Sequence, residues 1–267
     1  MVEQPRTSAD EIGLEMTIFL TGATGFVGSA VLRQLLKKSL DVRALARPGG
    51  DRRNIAGLAC EVVEGDLTDT SSYKHSLIGC TAVFHVAADY RLWAPDSAAM
   101  DRVNIDATRD LFRLATDNGA ERIVYTSSVA TLGINRDNTP ADEETPSTYH
   151  QMIGTYKRSK YLAEEEVRRL VSDEGIPAVI VNPSAPIGPR DLKPTPTGRI
   201  IVDAANGKIP AYVDTGLNFV HVEDVAQGHL DAFEKGKVGE RYILGGQNMT
   251  LIEMLTSICD QVGRKPP

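Results

Sequence analysis

The segment Thr21-Gly22-Ala23-Thr24-Gly25-Phe26-Val27-Gly28 most restricts what this chain can fold into. It follows the apolar run Thr17-Ile18-Phe19-Leu20 and leads into a segment with helical spacing. Three glycines so placed let a strand turn sharply into a helix. They also bring backbone N–H groups close to a pyrophosphate at the helix N-terminus, where the partial positive charge sits. The residues expected at that cradle are Gly22, Thr24, Gly25, Phe26, Val27 and Gly28. A glycine triplet alone is a weak signal. Its place after a strand, before a helix and near the N-terminus gives it weight.

Strand-like and helix-like segments alternate from there on. Val27, Ala30, Val31 and Leu35 recur at helical spacing within 26–38. Residues 42–46 read as a second strand and 60–65 as a third. A fourth at 81–86 is almost continuously apolar, as a strand buried on both faces should be. A helix follows over 104–116, a fifth strand over 122–126, a long helix over 155–171 and a sixth strand over 177–181. This alternation predicts an α/β fold of Rossmann type: a doubly wound parallel sheet covered on both faces. Ligands of such sheets bind beyond the carboxyl ends of the strands. Residues 16–183 form the expected dinucleotide-binding domain, with later segments able to rejoin it. Residues 182–198 hold five prolines and two glycines and read as a loop. Short elements near 200–206, 219–222, 223–234, 242–244 and from Leu251 read as a small C-terminal substrate lobe, 184–267.

Composition excludes several classes. The net charge of −7 argues against a general nucleic-acid binder, which would carry a basic face. No run approaches the roughly 20 apolar residues of a membrane span. Residues 1–15 lack the basic and apolar regions of a secretory signal and read as a disordered leader. Cys60, Cys80 and Cys259 are too scattered for a disulfide framework or a zinc site, which suits a reducing cytoplasm. The five histidines show no metal spacing. His85 reads as a satisfied core histidine and His221 as structural. Glu164-Glu165-Glu166 with Arg168-Arg169 reads as a solvated helix face.

The strand ends carry the chemistry. Dinucleotide enzymes that prefer NAD usually place an acidic residue after the second strand, against the ribose 2′-hydroxyl. Here Arg47 occupies that position. A guanidinium there suits a 2′-phosphate, so the expected cofactor is NADP(H), with NAD(H) as the alternative. Asp66, with Leu67 beside it, is placed to meet adenine. Ala87 and Ala88 are small enough to let a cofactor lie on the backbone. Thr126 ends the fifth strand, ahead of Ser127-Ser128, and is read with the cofactor contacts. Tyr156 and Lys160 are four apart and share a helical face. An ammonium there is expected to lower the phenol from its usual pKa near 10. Tyr156 then handles a hydroxyl proton, Lys160 also holds the nicotinamide ribose, and Ser128 positions the substrate oxygen. Asp89, Tyr90 and Trp93, with Ser128, are candidate substrate contacts.

Taken together, the chain resembles the extended short-chain dehydrogenase/reductase family from about residue 16 to its end. The resemblance rests on Thr21–Gly28, Asp66-Leu67, His85–Ala88, Asn104 with Thr108, Ser127-Ser128, Tyr156–Lys160, Asn182-Pro183-Ser184 and Phe219–Asp224. It implies a catalytic set of Ser128, Tyr156 and Lys160, with Asn104 as helper in a proton relay. It also implies that Pro183 and Ser184 lie against the nicotinamide. A homodimer through the two long helices, near 104–116 and 155–171, is usual for the family.

More narrowly, residues 87–95, 193–199 and 211–216 resemble the hopanoid-associated sugar epimerase group. That group is similar to dihydroflavonol 4-reductases, whose cofactor arginine matches Arg47. Family members commonly run past 300 residues, which implies that a terminal piece of the substrate lobe is missing here. The expected activity is NADP(H)-dependent hydride transfer to or from a ketone or alcohol carbon of a small molecule. The alternatives are a sugar epimerase using tightly held NAD(P), and a dinucleotide sensor without catalysis. An epimerase must hold its keto intermediate and reduced cofactor together, which favours NAD; Arg47 therefore tilts the reading to a reductase. Val129-Ala130 after Ser128 tilts it the same way.

Overall fold

The computed structural model describes residues 16–91, 96–135, 137 and 139–267. The expected leader at 1–15 and the expected substrate contact Trp93 lie outside them. Seven strands form one parallel sheet: β1 (Thr17–Thr21), β2 (Asp41–Ala46), β3 (Glu61–Glu64), β4 (Cys80–His85), β5 (Arg122–Thr126), β6 (Ala178–Pro183) and β9 (Arg241–Leu244). Their order is β3-β2-β1-β4-β5-β6-β9, and every pairing is parallel. The order reverses between β1 and β4, which opens a crevice beyond their carboxyl ends.

The two-residue period of the strands divides the core. Phe19, Val83, Ile123, Tyr125 and Ile180 point to one side, against α3 (Ala107–Asp117) and α4 (Thr155–Glu174). Ile18, Leu20, Phe84, Val124, Val179 and Val181 point to the other, against α1 (Phe26–Lys37) and α6 (Val222–Lys235). Burial of both faces is why these strands read as unbroken apolar runs.

Several boundaries differ from the sequence expectation. The helix expected from residue 104 begins earlier: α2 (Ser97–Asp101) runs through a wide π turn, Arg102–Asp106, into α3. The proline-rich loop contains a short strand, β7 (Ala185–Ile187). That strand joins a second sheet of order β10-β8-β7, with β8 (Gly216–His221) and β10 (Gln247–Thr250). Two elements expected in the lobe belong to the main layers: β9 pairs with β6, and α6 packs beside α1. The reason is burial. Val222, Val225, Ala226 and Leu230 give α6 an apolar face, and Val179 and Val181 lie under it. Of the remaining elements, α5 (Pro196–Ala205) and α7 (Leu251–Gln261) stay outside the main sheet's layers and pack near each other. Cys80 and Cys259 are buried, whereas Cys60 is only half-buried.

Two histidines lie in this interior. Thr108 donates its hydroxyl proton to the Asn104 carbonyl at 2.8 Å, so it accepts from Nε2–H of His85 at 2.9 Å. Nδ1 of His85 then accepts from the Thr21 hydroxyl at 2.7 Å. His229 donates from Nδ1 to the Val225 carbonyl and accepts at Nε2 from Thr126. Both rings are neutral. Burial, with the Lys160 charge adding to it, pushes His85 down to about 3, and burial pushes His229 down to about 4.

An unfolded chain protonates each ring near pH 6.5. Between that value and the native ones the unfolded state binds more protons, so stability is lost as pH falls. The expected loss by pH 5 is about 2 kcal/mol per histidine. Urea melts at pH 7 and pH 5 measure it, and His229→Gln should flatten the slope; an unchanged slope contradicts the assignment.

Candidate active site

The glycine loop closes at the crevice. Gly22 has φ of +77°, and a Cβ there would meet the Ala87 nitrogen at 2.6 Å. Only glycine lets the loop lie this close to the backbone after β4. A Cβ on Gly28 would meet the Gly22 carbonyl oxygen at 2.0 Å. Gly25 caps α1, and its N–H donates to the Gly22 carbonyl at 2.9 Å. Thr24 and Gly25 are further tied down by Asn54, whose buried amide donates to both carbonyls and to that of Arg190. Phe26 and Val27 open α1 and pack against the core. Sequence reasoning missed Asn54, because nothing in its local pattern marks it as a brace for a loop thirty residues earlier.

At the end of β2, Arg47 is exposed and has no side-chain hydrogen bond or ion pair among the described residues. Its charge helps to hold the carboxyls of Asp66 and Asp89 below their usual range. It therefore stands among the ends of β2, β3 and β4. Asp66 accepts from the N–H and hydroxyl of Thr68 through one oxygen, while Asp69 caps the following turn. Leu67 is buried beneath it. Ala87 and Ala88 form a half-buried floor after β4, and the Ala87 N–H donates to the Thr21 hydroxyl.

Ser128, Tyr156 and Lys160 converge beyond β5. Ser128 caps a short turn, Val129–Thr131, where its hydroxyl accepts from the Ala130 N–H and stands close enough to the Tyr156 phenol to oppose the rise of its pKa. Lys160 follows one turn along α4 and is 2% exposed. Its ammonium donates to the Tyr125 hydroxyl at 3.0 Å and the Thr126 carbonyl at 2.9 Å. Burial lowers Lys160 to about 8, opposed by the charge of Glu164. Burial raises the Tyr156 phenol, and the Ser128 hydroxyl opposes that rise. This differs from the expected lowering by Lys160. The ammonium is turned to the end of β5, and burial is the larger influence on the phenol.

The other expected residues lie around this group. Asn104 sits in the π turn and uses its whole side chain for bracing. Its amide nitrogen donates to the Asp89 carbonyl and the Ser159 hydroxyl, and its oxygen accepts from the Asp89 N–H. The Asp89 carboxylate is paired with Arg91, and Tyr90 is 49% exposed. Pro183 ends β6. Ser184 follows, with a buried hydroxyl that has no hydrogen-bond partner.

Glu164 is the main residue that sequence reasoning misplaced. It was expected on a solvated face with Glu165 and Glu166, yet it is 2% exposed and accepts from Ser127, Thr131, Asn182 and Arg241. The partners come from three other elements, so no local charge pattern announces them. Its spacing from Lys160, four residues on the same face, was the available signal.

Beside the serine turn opens a cleft of about 590 Å³. Val129, Leu132, Met152 and Ile243 make its walls apolar, and Ser184 and Lys157 supply polar groups. Among the described residues, no cluster of side chains could hold a metal ion, and no helix is long and apolar enough to cross a membrane.

Gly28→Ala tests the loop. Its Cβ has only backbone to push against, so a destabilisation of about 1–3 kcal/mol is expected, with loss of dinucleotide binding. Thermal melts and a fluorescence titration with NADPH check both; a variant that binds as the parent does contradicts the close-approach argument.

Comparison with known proteins agrees with this geometry. A family described as the NAD dependent epimerase/dehydratase family matches residues 18–245. A Synechocystis sp. protein named "Putative dihydroflavonol 4-reductase" is 45% identical over 260 residues, covering 96% of this chain and 75% of its own length. Sterol demethylase protein B of Methylococcus capsulatus is 36% identical over 253 residues, covering 94% of this chain and 76% of its own. Among solved structures, gox2253 superposes with a TM-score of 0.91 at 53% identity, covering 95% of this chain and 76% of that one. The chain belongs to the NAD dependent epimerase/dehydratase family, the extended short-chain dehydrogenases/reductases, and is an NAD(P)-dependent oxidoreductase or epimerase.

Proposed function

We propose that this enzyme is an NADP(H)-dependent reductase of a ketone carbonyl. The observation that carries the reading is the convergence of Ser128, Tyr156 and a buried Lys160 beside an apolar cleft. The crevice fits a dinucleotide. Gly22 and Gly28 let the loop after β1 close onto the backbone after β4 and onto α1, which sets the α1 N-terminus at the crevice, and the Ser184 hydroxyl is a buried polar group with no hydrogen-bond partner among the described residues. Gly22, Gly25 and the start of α1 hold the pyrophosphate, Arg47 holds the 2′-phosphate and Asp66 meets adenine. A bound nicotinamide supplies the hydride.

The chain's own groups manage the oxygen. Ser128 donates a hydrogen bond to the substrate carbonyl. Tyr156 gives its proton to that oxygen as the alcohol forms, and the phenolate left behind recovers a proton from solvent. Lys160 braces the end of β5 beside them through the Tyr125 hydroxyl and the Thr126 carbonyl. The apolar cleft walls favour a substrate with a largely apolar body. Relatives named as reductases, among them cinnamoyl-CoA reductase 1 of Oryza sativa and tetraketide alpha-pyrone reductase 2 of Arabidopsis thaliana, support reduction.

The epimerase reading rests on the family's description as epimerase/dehydratase; a solved member of similar fold, the dTDP-glucose 4,6-dehydratase DesIV with NAD bound, is 25% identical to this chain with a TM-score of 0.84, covering 94% of this chain and 82% of that one. Arg47, with no carboxylate partner among the described residues, weighs against the NAD preference that reading requires.

Two measurements decide the proposal. Arg47→Ala should weaken NADPH binding by about 10- to 100-fold, the worth of charge-assisted hydrogen bonds, and leave NADH binding unchanged. Equal affinities in parent and variant overturn the cofactor assignment. Tyr156→Phe should melt as the parent does and lose about 10²- to 10⁴-fold in turnover of an aromatic ketone panel. Retained turnover removes Tyr156 from the chemistry.

A further inference from the structure

Glu164 has two oxygens with different duties. Oε2 accepts from the Ser127 hydroxyl at 2.5 Å, the Thr131 hydroxyl at 2.8 Å and the Asn182 amide at 2.9 Å. Oε1 faces Arg241 at 3.1 Å and Arg168 at 3.4 Å. Ser127 and Thr131 flank the turn that carries Ser128. The Asn182 amide also donates to the Ser128 carbonyl at 3.0 Å. One carboxylate oxygen thus grips the serine turn from both sides and, through Asn182, at its centre.

The grip spans the elements that must meet for chemistry. Tyr156, Lys160 and Glu164 lie four residues apart along one face of α4. Ser128 sits beyond β5, Asn182 on β6 and Arg241 on β9. Arg241 in turn donates to the Glu143 and Thr145 carbonyls. A buried carboxylate is costly unless fully partnered. The three donors at Oε2 and the charge of Arg241 hold its carboxyl below the usual range despite burial.

We infer that Glu164 is a positioning residue for the reaction: its carboxylate clamps the Ser127–Thr131 turn to α4 and so holds the Ser128 hydroxyl against the Tyr156 phenol. The inference rests on the reading above of Ser128 and Tyr156. Glu164 touches neither substrate nor cofactor. It acts by setting the distance between two groups on different elements, where a displacement of about 1 Å can cost roughly 100-fold in rate.

The test is a double-mutant cycle in the full chain, reading kcat and KM for an aromatic ketone with NADPH. The variants are Glu164→Gln, Ser128→Ala and the pair. Glu164→Gln keeps the shape and removes the charge. It should lower kcat at least about tenfold and leave NADPH affinity within about twofold, because the glycine loop is untouched. In the Ser128→Ala background the same change should cost less than about threefold, since the group it positions is gone.

Equal fold-losses in both backgrounds, or full turnover of Glu164→Gln, overturn the clamp while leaving the reductase reading intact. Full turnover of Ser128→Ala overturns the reading itself. Should Glu164→Gln not fold, Ser127→Ala removes one donor, whose hydroxyl bonds only the carboxylate among the described residues, and spares the carboxylate. It should lower kcat about threefold or more in the parent and not in Ser128→Ala. A loss of the same size in both overturns the clamp.

Discussion

A buried ammonium and a buried carboxylate, one helical turn apart, govern how α4 sits on the sheet's carboxyl edge. Each ion out of water costs several kcal/mol even after relaxation. Lys160 recovers that cost through Tyr125, Thr126 and the charge of Glu164. Glu164 recovers it through donors on the serine turn, β6 and β9. Moving α4 by a fraction of a helical turn would strand both charges. The helix that carries Tyr156 therefore has one low-energy seat, and that seat faces the crevice.

The crevice itself comes from backbone packing. A parallel sheet with its order reversed between β1 and β4 leaves a gap that no crossover covers. Gly22 and Gly28 let the loop after β1 press onto α1 and onto the backbone after β4. The chain of Ala87, Thr21, His85, Thr108 and Asn104 then runs from that floor to the π turn. Asn104 passes the connection on to Ser159 in α4. The floor of the crevice and the helix that bears the phenol are thus joined by neutral hydrogen bonds inside the core. Partly satisfied networks of this kind are expensive, so the whole set holds together or not at all.

The balance between burial and charge does not by itself make the cleft a reductase's. Burial raises the Tyr156 phenol, and the turned-away ammonium does not reverse it. The same burial lowers Lys160 toward neutrality. The proposed reductase therefore leans on two other features, the apolar cleft walls and an exposed Arg47 at the end of β2 without an ion-pair partner among the described residues.

Much of this was legible in the chain itself. The glycine spacing, the two-residue and 3.6-residue periods and the four-residue step from Tyr156 to Lys160 are local, so they specified the strands of the main sheet, its long helices, the α/β class and the family, but not the short strands β7 and β10. Contacts between distant segments were not legible. Glu164, in a run of acidic and basic residues, reads as solvated until Arg241, Asn182 and Ser127 arrive from elsewhere. The strand at Tyr242–Leu244 reads as part of a lobe until its pairing with β6 places it in the main sheet. The pull of Lys160 on Tyr156 followed from spacing alone, and only the tertiary structure turned the ammonium toward Tyr125. Periodicity records which face of an element is apolar. Which partner meets that face, and where a buried charge finds its donors, is decided by packing across the whole chain.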